Sequence, residues 1–228
     1  QPSASTQNMP SAGAVCTALR DGVEAPTLLV GGHVASLPER TLREEDADYV
    51  SSGEGLVTVV ELLDALDGGR SEDIAKVAGL WYMDDGSARS NPAAPLLQDL
   101  DGEMPHMAWD LLPMDIYRAH NWHCYSDLQR QPYAAIYTTL GCPYKCSFCC
   151  IQAPFKEGER VLGYKETANS YRRWGPEVVV DQIDHLVNEY GVRNIKFADE
   201  MFVLNRRHVT EICDVIIERG YDLNIWAY

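Results

Sequence analysis

Between Pro132 and Tyr228 the chain switches repeatedly from strand-like runs to stretches of helical period, and this alternation restricts the fold more than any other feature. Pro132-Tyr-Ala-Ala-Ile-Tyr-Thr-Thr139 is aromatic and β-branched and reads as a buried strand. Gly175-Pro176 opens a helix on which Val179, Ile183, Leu186, Val187 and Tyr190 recur at three- and four-residue steps, and Gly191 ends it. Asn194 to Ala198 reads as a second strand. Asn205 is placed to cap a second helix with a stripe of Val209, Ile212, Cys213, Ile216 and Ile217, closed by Gly220; Leu223 to Ala227 begins a third strand. Strands separated by helices at this spacing imply parallel βαβ units, whose reactive groups gather at the carboxyl ends of the strands.

Cys142, Cys146 and Cys149 stand directly after the first of these strands, in Tyr137-Thr-Thr-Leu-Gly-Cys-Pro-Tyr-Lys-Cys-Ser-Phe-Cys-Cys150. Three soft thiolates on one short loop suit a metal cluster, and a four-iron cluster held by three thiolates leaves one iron open to another ligand. Structural zinc usually takes two separated pairs of Cys or His, and Cys150, adjacent to Cys149, is poorly placed to complete a tetrahedron. Seven cysteines, an odd number, argue against a disulfide scaffold. Cys16, Cys124, Cys150 and Cys213 read as small packing residues. Asp199-Glu200 falls at the carboxyl end of the second strand, the same end as the cysteine loop.

The Cys-x3-Cys-x2-Cys array with Phe148 before its last cysteine resembles the signature of the radical S-adenosylmethionine (SAM) enzymes. The resemblance implies a full or partial (β/α) barrel with a [4Fe-4S] cluster on Cys142, Cys146 and Cys149. S-adenosylmethionine would chelate the free iron, and its reductive cleavage would give a 5'-deoxyadenosyl radical. Phe148 would contribute backbone contacts to adenine. Asp199 and Glu200 occupy the place of the family's Gly-Gly-Glu motif, which contacts the amino group of S-adenosylmethionine; here Phe197-Ala-Asp-Glu-Met-Phe202 replaces the glycines.

Residues 26–66 make a second α/β unit. Pro26 to Val30 is a short apolar strand followed by Gly31-Gly32-His33 and a loop; Ala47 to Val50 and Gly53-Glu54-Gly55 precede a helix with Val59, Leu62, Leu63 and Leu66. Set before a radical SAM motif, this run resembles the later half of a doubly wound cobalamin-binding domain. Gly31, Gly32 and Gly53 would then line the cleft for the nucleotide tail of cobalamin, with Ser5 on a preceding loop. The family's Asp-x-His-x-x-Gly segment is absent, and His33, on a different loop, reads as a solvent or tail contact. The expected division is a partial cobalamin-binding domain over 1–67, a linker with a small β-hairpin over 68–131, and a truncated radical SAM barrel over 132–228. The hairpin is expected around Val77-Ala-Gly-Leu-Trp-Tyr82 and Asp84-Asp85-Gly86, with His120, Trp122 and His123 packing between domains.

With 46% hydrophobic and 23% charged residues, the composition is that of a globular protein, and no apolar run approaches the ~20 residues needed to cross a bilayer. A net charge of −15 sets the overall field against a nucleic-acid partner. The start at Gln1 and the strand-like end at Tyr228 suggest a fragment. The resemblance implies a cytoplasmic, cobalamin-dependent radical SAM enzyme that methylates or rearranges a small molecule, with C-methylation the default. Its electron donor would be a flavodoxin or ferredoxin. Two alternatives stand beside it: a methylthiotransferase acting on RNA or protein, which needs a further three-cysteine domain where this chain offers Cys16 and Cys124, and a non-catalytic iron-sulfur or zinc module.

Overall fold

The computed structural model describes residues 8–23, 25–68, 71–104, 106–120 and 130–227. Ser5, Trp122, His123 and Cys124 lie outside them. The chain packs as two compact units, 1–97 with 143–170 and 98–142 with 171–228.

The first unit is built on a four-stranded sheet of order β1-β2-β3-β4: β1 (Leu28–Leu29), β2 (Tyr49–Ser51), β3 (Leu80–Asp84) and β4 (Ser87–Ser90). β1 and β2 are parallel; β3 joins β2 and β4 joins β3 antiparallel. Strand alternation sends successive residues to opposite faces. Leu29 and Val50 pack with Met9, Val34 and Leu42, while Leu28 and Tyr49 pack with Leu62, Ala65, Val77 and Leu80. Around these faces run α1 (Met9–Gly22), α2 (Gly32–Ser36), α3 (Pro38–Glu44), α4 (Leu56–Asp67) and α5 (Ser71–Ile74).

Three features differ from the sequence reading. The loop expected after Gly31 forms α2 and α3; α3 opens on Pro38 and carries Glu39–Arg43 and Arg40–Glu44 pairs at four-residue spacing. The hairpin forms, turning on Asp85 and Gly86, both at positive φ (47° and 75°), as a tight turn between right-twisted strands requires. It extends the first unit's sheet instead of standing in a linker, because the apolar Leu80 and Trp81 need that sheet to cover them. On α4 the buried side is Thr58, Leu62 and Ala65, and Leu63 is 61% exposed.

The second unit has a parallel sheet of order β5-β8-β9: β5 (Tyr133–Ile136), β8 (Asn194–Phe197) and β9 (Asn224–Trp226). α8 (Pro176–Tyr190) and α9 (Arg206–Arg219) make the crossovers and pack against each other. α6 (Leu100–Glu103) is capped by the Asp99 carboxylate, which accepts from the Gly102 amide. Ala134, Ile136, Ile195, Phe197, Val179, Ile183, Leu186 and Ile212 form the core. The expected first strand breaks after Ile136. Thr139–Leu140 (β6) leaves the sheet and pairs antiparallel with Arg172–Arg173 (β7). α9 buries His208, Ile212 and Ile216, one line at four-residue steps, and leaves Cys213 and Ile217 exposed. The apolar stripe there is wider than the strip its neighbours cover, so Cys213 is not the packing residue its position implied.

Among the described residues, no helix is long and apolar enough to cross a membrane.

Candidate functional site

The break between β5 and β6 creates the centre of the site. β5 and β8 run in register to Ile136 and Phe197, and the Ala198 amide still donates to the Ile136 carbonyl at 2.7 Å. Beyond that point the chain bends toward β6, which takes the Thr138 and Thr139 amides out of the ladder. Asp199 replaces the missing strand. Its Oδ1 accepts from the Thr138 amide at 2.9 Å, the Thr139 amide and the Thr139 hydroxyl at 2.7 Å, and both carboxylate oxygens stand 3.2 Å from the Thr138 hydroxyl. On the other side of the bend, the Trp174 amide donates to the Thr138 carbonyl at 3.0 Å. His208 Nε2 lies 3.1 Å from Thr138 Oγ1. Burial, with the Arg173 guanidinium adding to it, lowers the His208 pKa against the pull of Asp199, which suits a neutral imidazole donating its Nε2 proton to Thr138.

This geometry separates two carboxylates that the sequence leaves equivalent. Asp199 is 1% exposed and its oxygens are occupied by the chain's own donors. Glu200, the next residue, is exposed. Partial desolvation of its carboxyl raises its pKa, Lys196 opposes, and the Asp199 charge adds to the rise. Of the two, Glu200 is the one available to an external ammonium.

Cys142 follows β6 by way of Gly141, whose φ of 90° favours glycine. It is partly buried, while Cys146 and Cys149 are exposed free thiols on one turn, closed by the Cys149 amide donating to the Cys146 carbonyl at 3.0 Å. Phe148 sits on that turn, 91% exposed. Cys16 is buried as a packing residue, but Cys150 is exposed, because the turn holds it out of any core. No group of three His, Cys, Asp or Glu that could hold a metal ion is gathered among the described residues. As a donor set, soft thiols on one short loop fit a thiolate-ligated cluster.

After the cysteines, a polar stretch with no apolar pattern folds around a buried carboxylate. Glu159 lies in α7 (Lys156–Val161), which follows a 3-10 turn at Ala153–Phe155, and is 2% exposed. It accepts from the Ser170 amide at 2.6 Å, the Ser170 hydroxyl at 2.8 Å, Gln152 Nε2 at 2.6 Å and Lys156 Nζ at 2.8 Å. Burial alone would raise its pKa; the Lys156 ammonium and the Ser170 and Gln152 donors overcome that and bring it to about 2. Asn169 donates to the Tyr144 carbonyl at 2.7 Å, which joins this network to the cysteine loop. In sequence Lys156-Glu157-Gly158-Glu159 looks like a solvated charge run. Nothing in that run marks the burial, although Gly158 packs so closely that a Cβ would come 2.6 Å from Leu96.

The glycines divide in the same way. Gly31 (φ 148°) and Gly55 (φ 87°) are required by backbone conformation, and a Cβ on Gly55 would also stand 2.5 Å from Val30. Gly32 and Gly53 have no such requirement: a Cβ would meet only Pro154, at 3.8 Å and 4.0 Å. Their backbone takes part in local contacts, the Gly32 carbonyl accepting from the Ser36 hydroxyl and the Gly53 amide donating to Ser51 Oγ, but neither carries a side chain that would bar a ligand. His33, near Gly32, is partly buried.

No family model matches the chain. It is 35% identical over 195 residues to an uncharacterized methyltransferase of Pyrococcus horikoshii, covering 85% of this chain and 37% of that protein. It is 31% identical over 196 residues to the anaerobic magnesium-protoporphyrin IX monomethyl ester cyclase of Cereibacter sphaeroides, covering 84% of this chain and 28% of the cyclase. The chain thus spans roughly a third of the length of the relatives it matches. Among solved structures, the radical S-adenosylmethionine methyltransferase TsrM of Kitasatospora setae, bound to tryptophan and a SAM analog, superposes with a TM-score of 0.61 at 21% identity, covering 93% of this chain and 36% of TsrM. The cobalamin-dependent S-adenosylmethionine radical enzyme OxsB, with aqua-cobalamin bound, gives a TM-score of 0.64 at 16% identity, covering 99% of this chain and 29% of OxsB. At these identities the two structures speak for the fold: part of a doubly wound cobalamin-binding domain followed by the first strands of a radical SAM partial barrel. The chain is thus similar over most of its length to a methyltransferase and a cyclase in sequence, and to two radical SAM enzymes in fold.

Proposed function

We propose that the chain is part of a cobalamin-dependent radical SAM enzyme that transfers a methyl group to a small molecule. The observation that carries this reading is the match to a methyltransferase over a stretch that includes the three-cysteine loop at the carboxyl end of the parallel sheet. Cys142, Cys146 and Cys149 would hold a [4Fe-4S] cluster through their thiolates. When bound, the cluster supplies the electron that cleaves S-adenosylmethionine, and cobalamin supplies a methyl carrier.

The chain's own part is binding and orientation. Glu200 would face the ammonium of the methionine end, a charge-assisted contact that Asp199, turned inward, does not make. Phe148 would present its backbone to adenine. Gly31, Gly32, Gly53 and Ser5 would line the path of the corrinoid's nucleotide tail, with no side chain on Gly32 and Gly53 to bar it. A low-potential donor of the flavodoxin or ferredoxin type would serve it in a reducing cytosol, which keeps the thiols free. A second reading, radical ring formation without net methyl transfer, draws on the similarity to the cyclase of Cereibacter sphaeroides.

Anaerobic reconstitution tests the proposal. It expects roughly four irons per chain, a cluster spectrum perturbed by S-adenosylmethionine, and a retained corrinoid with visible absorption. A stable zinc-only protein would refute it.

A further inference from the structure

We infer that Asp199 is a positioning residue for the cluster loop, acting through Thr138 and Thr139 on Cys142. The assignment rests on the proposed cluster at Cys142.

The bend after Ile136 is the point at which the chain leaves a regular sheet and heads for its first thiolate. Two successive backbone amides leave the ladder there, and a buried amide without an acceptor is costly. Asp199 accepts both, together with both threonine hydroxyls. One carboxylate therefore fixes the backbone and the side-chain rotamers of two adjacent residues. Thr138 is held again by its carbonyl, through Trp174, and by its hydroxyl oxygen, through His208. Thr139 also pairs with Arg173 in the β6–β7 ladder. From Thr139 only Leu140 and Gly141 intervene before Cys142, a reach of at most ~10 Å. The direction in which Cys142 is presented is thus set at a corner that has almost no freedom.

The order of residues explains why Asp and Glu follow one another at the end of β8. The first, with the shorter side chain, points into the bend and serves the loop; the second remains exposed. Groups that orient metal ligands without touching the metal commonly change metal retention ~10- to 100-fold when removed.

The test uses the protein reconstituted anaerobically, with iron release to a chelator followed below the Tm of every variant, and with the cluster's electron paramagnetic resonance recorded with and without S-adenosylmethionine. D199A should release iron ~10-fold faster or more, while the cluster that remains still responds to S-adenosylmethionine. E200Q should hold iron normally and need a roughly 10- to 100-fold higher S-adenosylmethionine concentration for that response. T139V, which deletes one donor to Asp199, should release iron faster than T139S, which keeps it. Should D199A not fold, the T139V and T139S pair decides, and equal release from the two overturns the assignment. It is also overturned if D199A retains iron as the wild type does, or keeps its cluster but no longer responds to S-adenosylmethionine, as a direct ligand would. A wild-type protein that takes up no cluster at all overturns the radical reading itself, and this assignment with it.

Discussion

The Glu159 carboxylate accepts both the amide and the hydroxyl of Ser170, eleven residues along the chain, and so closes the segment that follows the cysteines into a ring. Its pKa in the fold, about 2, lies below the ordinary 4.5. The charged form is the stabilising one. Its contribution is fully present above the unfolded value and is lost as pH falls from about 4.5 through about 2. The shift corresponds to something on the order of 3 kcal/mol. Urea unfolding between pH 7 and pH 2 should show this loss in the wild type, and E159Q should start less stable at pH 7 and vary less across the same window.

Gly55 and Gly53 should respond in opposite ways to alanine. G55A forces a side chain into φ 87° and against Val30, and should cost about 1–3 kcal/mol in denaturant unfolding. G53A and G32A have ordinary space beside Pro154 and should leave unfolding within about 0.5 kcal/mol of wild type. Under the proposed function, G53A and G32A should instead weaken corrinoid retention, read by visible absorption after gel filtration; unchanged retention in both would remove these glycines from the cobalamin site.

E200Q should weaken binding of S-adenosylmethionine to the reconstituted protein by roughly 10- to 100-fold, the loss expected when an ammonium loses a charged acceptor. Equilibrium titration monitored on the cluster signal measures it. Affinity equal to wild type would show that another group receives the amino end.

Asn205 caps α9 by accepting the His208 amide at 3.1 Å, so N205A should cost about 1 kcal/mol. A shift of the same size in Tm and in urea midpoint checks it.

Much of this was legible in the residues. Hydrophobic period located β5, α8, β8 and α9, since each buries one face against a neighbour and leaves a regular apolar trace, and a short apolar run located β9. Asp85-Gly86 announced the hairpin through its φ demands, and Asn205 announced the cap. What stayed hidden was set by polar contacts distant in sequence. Asp199 and Glu200 are chemically similar neighbours, and only the broken ladder at Thr138–Thr139 turns one inward. Glu159 sits in an apparently solvated run, and its burial depends on Ser170 and Gln152 closing over it. On α9 five apolar side chains offer two adjacent stripes; Ile212 and Ile216 are buried as the pattern implies, and packing extends their line through His208 and leaves Cys213 and Ile217 outside it.

The most direct measurement is the electron paramagnetic resonance spectrum of the reduced, anaerobically reconstituted protein before and after addition of S-adenosylmethionine, alongside C142A, C146A and C149A. The account predicts a four-iron cluster signal that changes on addition and is lost in each cysteine variant. A cluster signal indifferent to S-adenosylmethionine, or one that survives loss of any of the three cysteines, would contradict it.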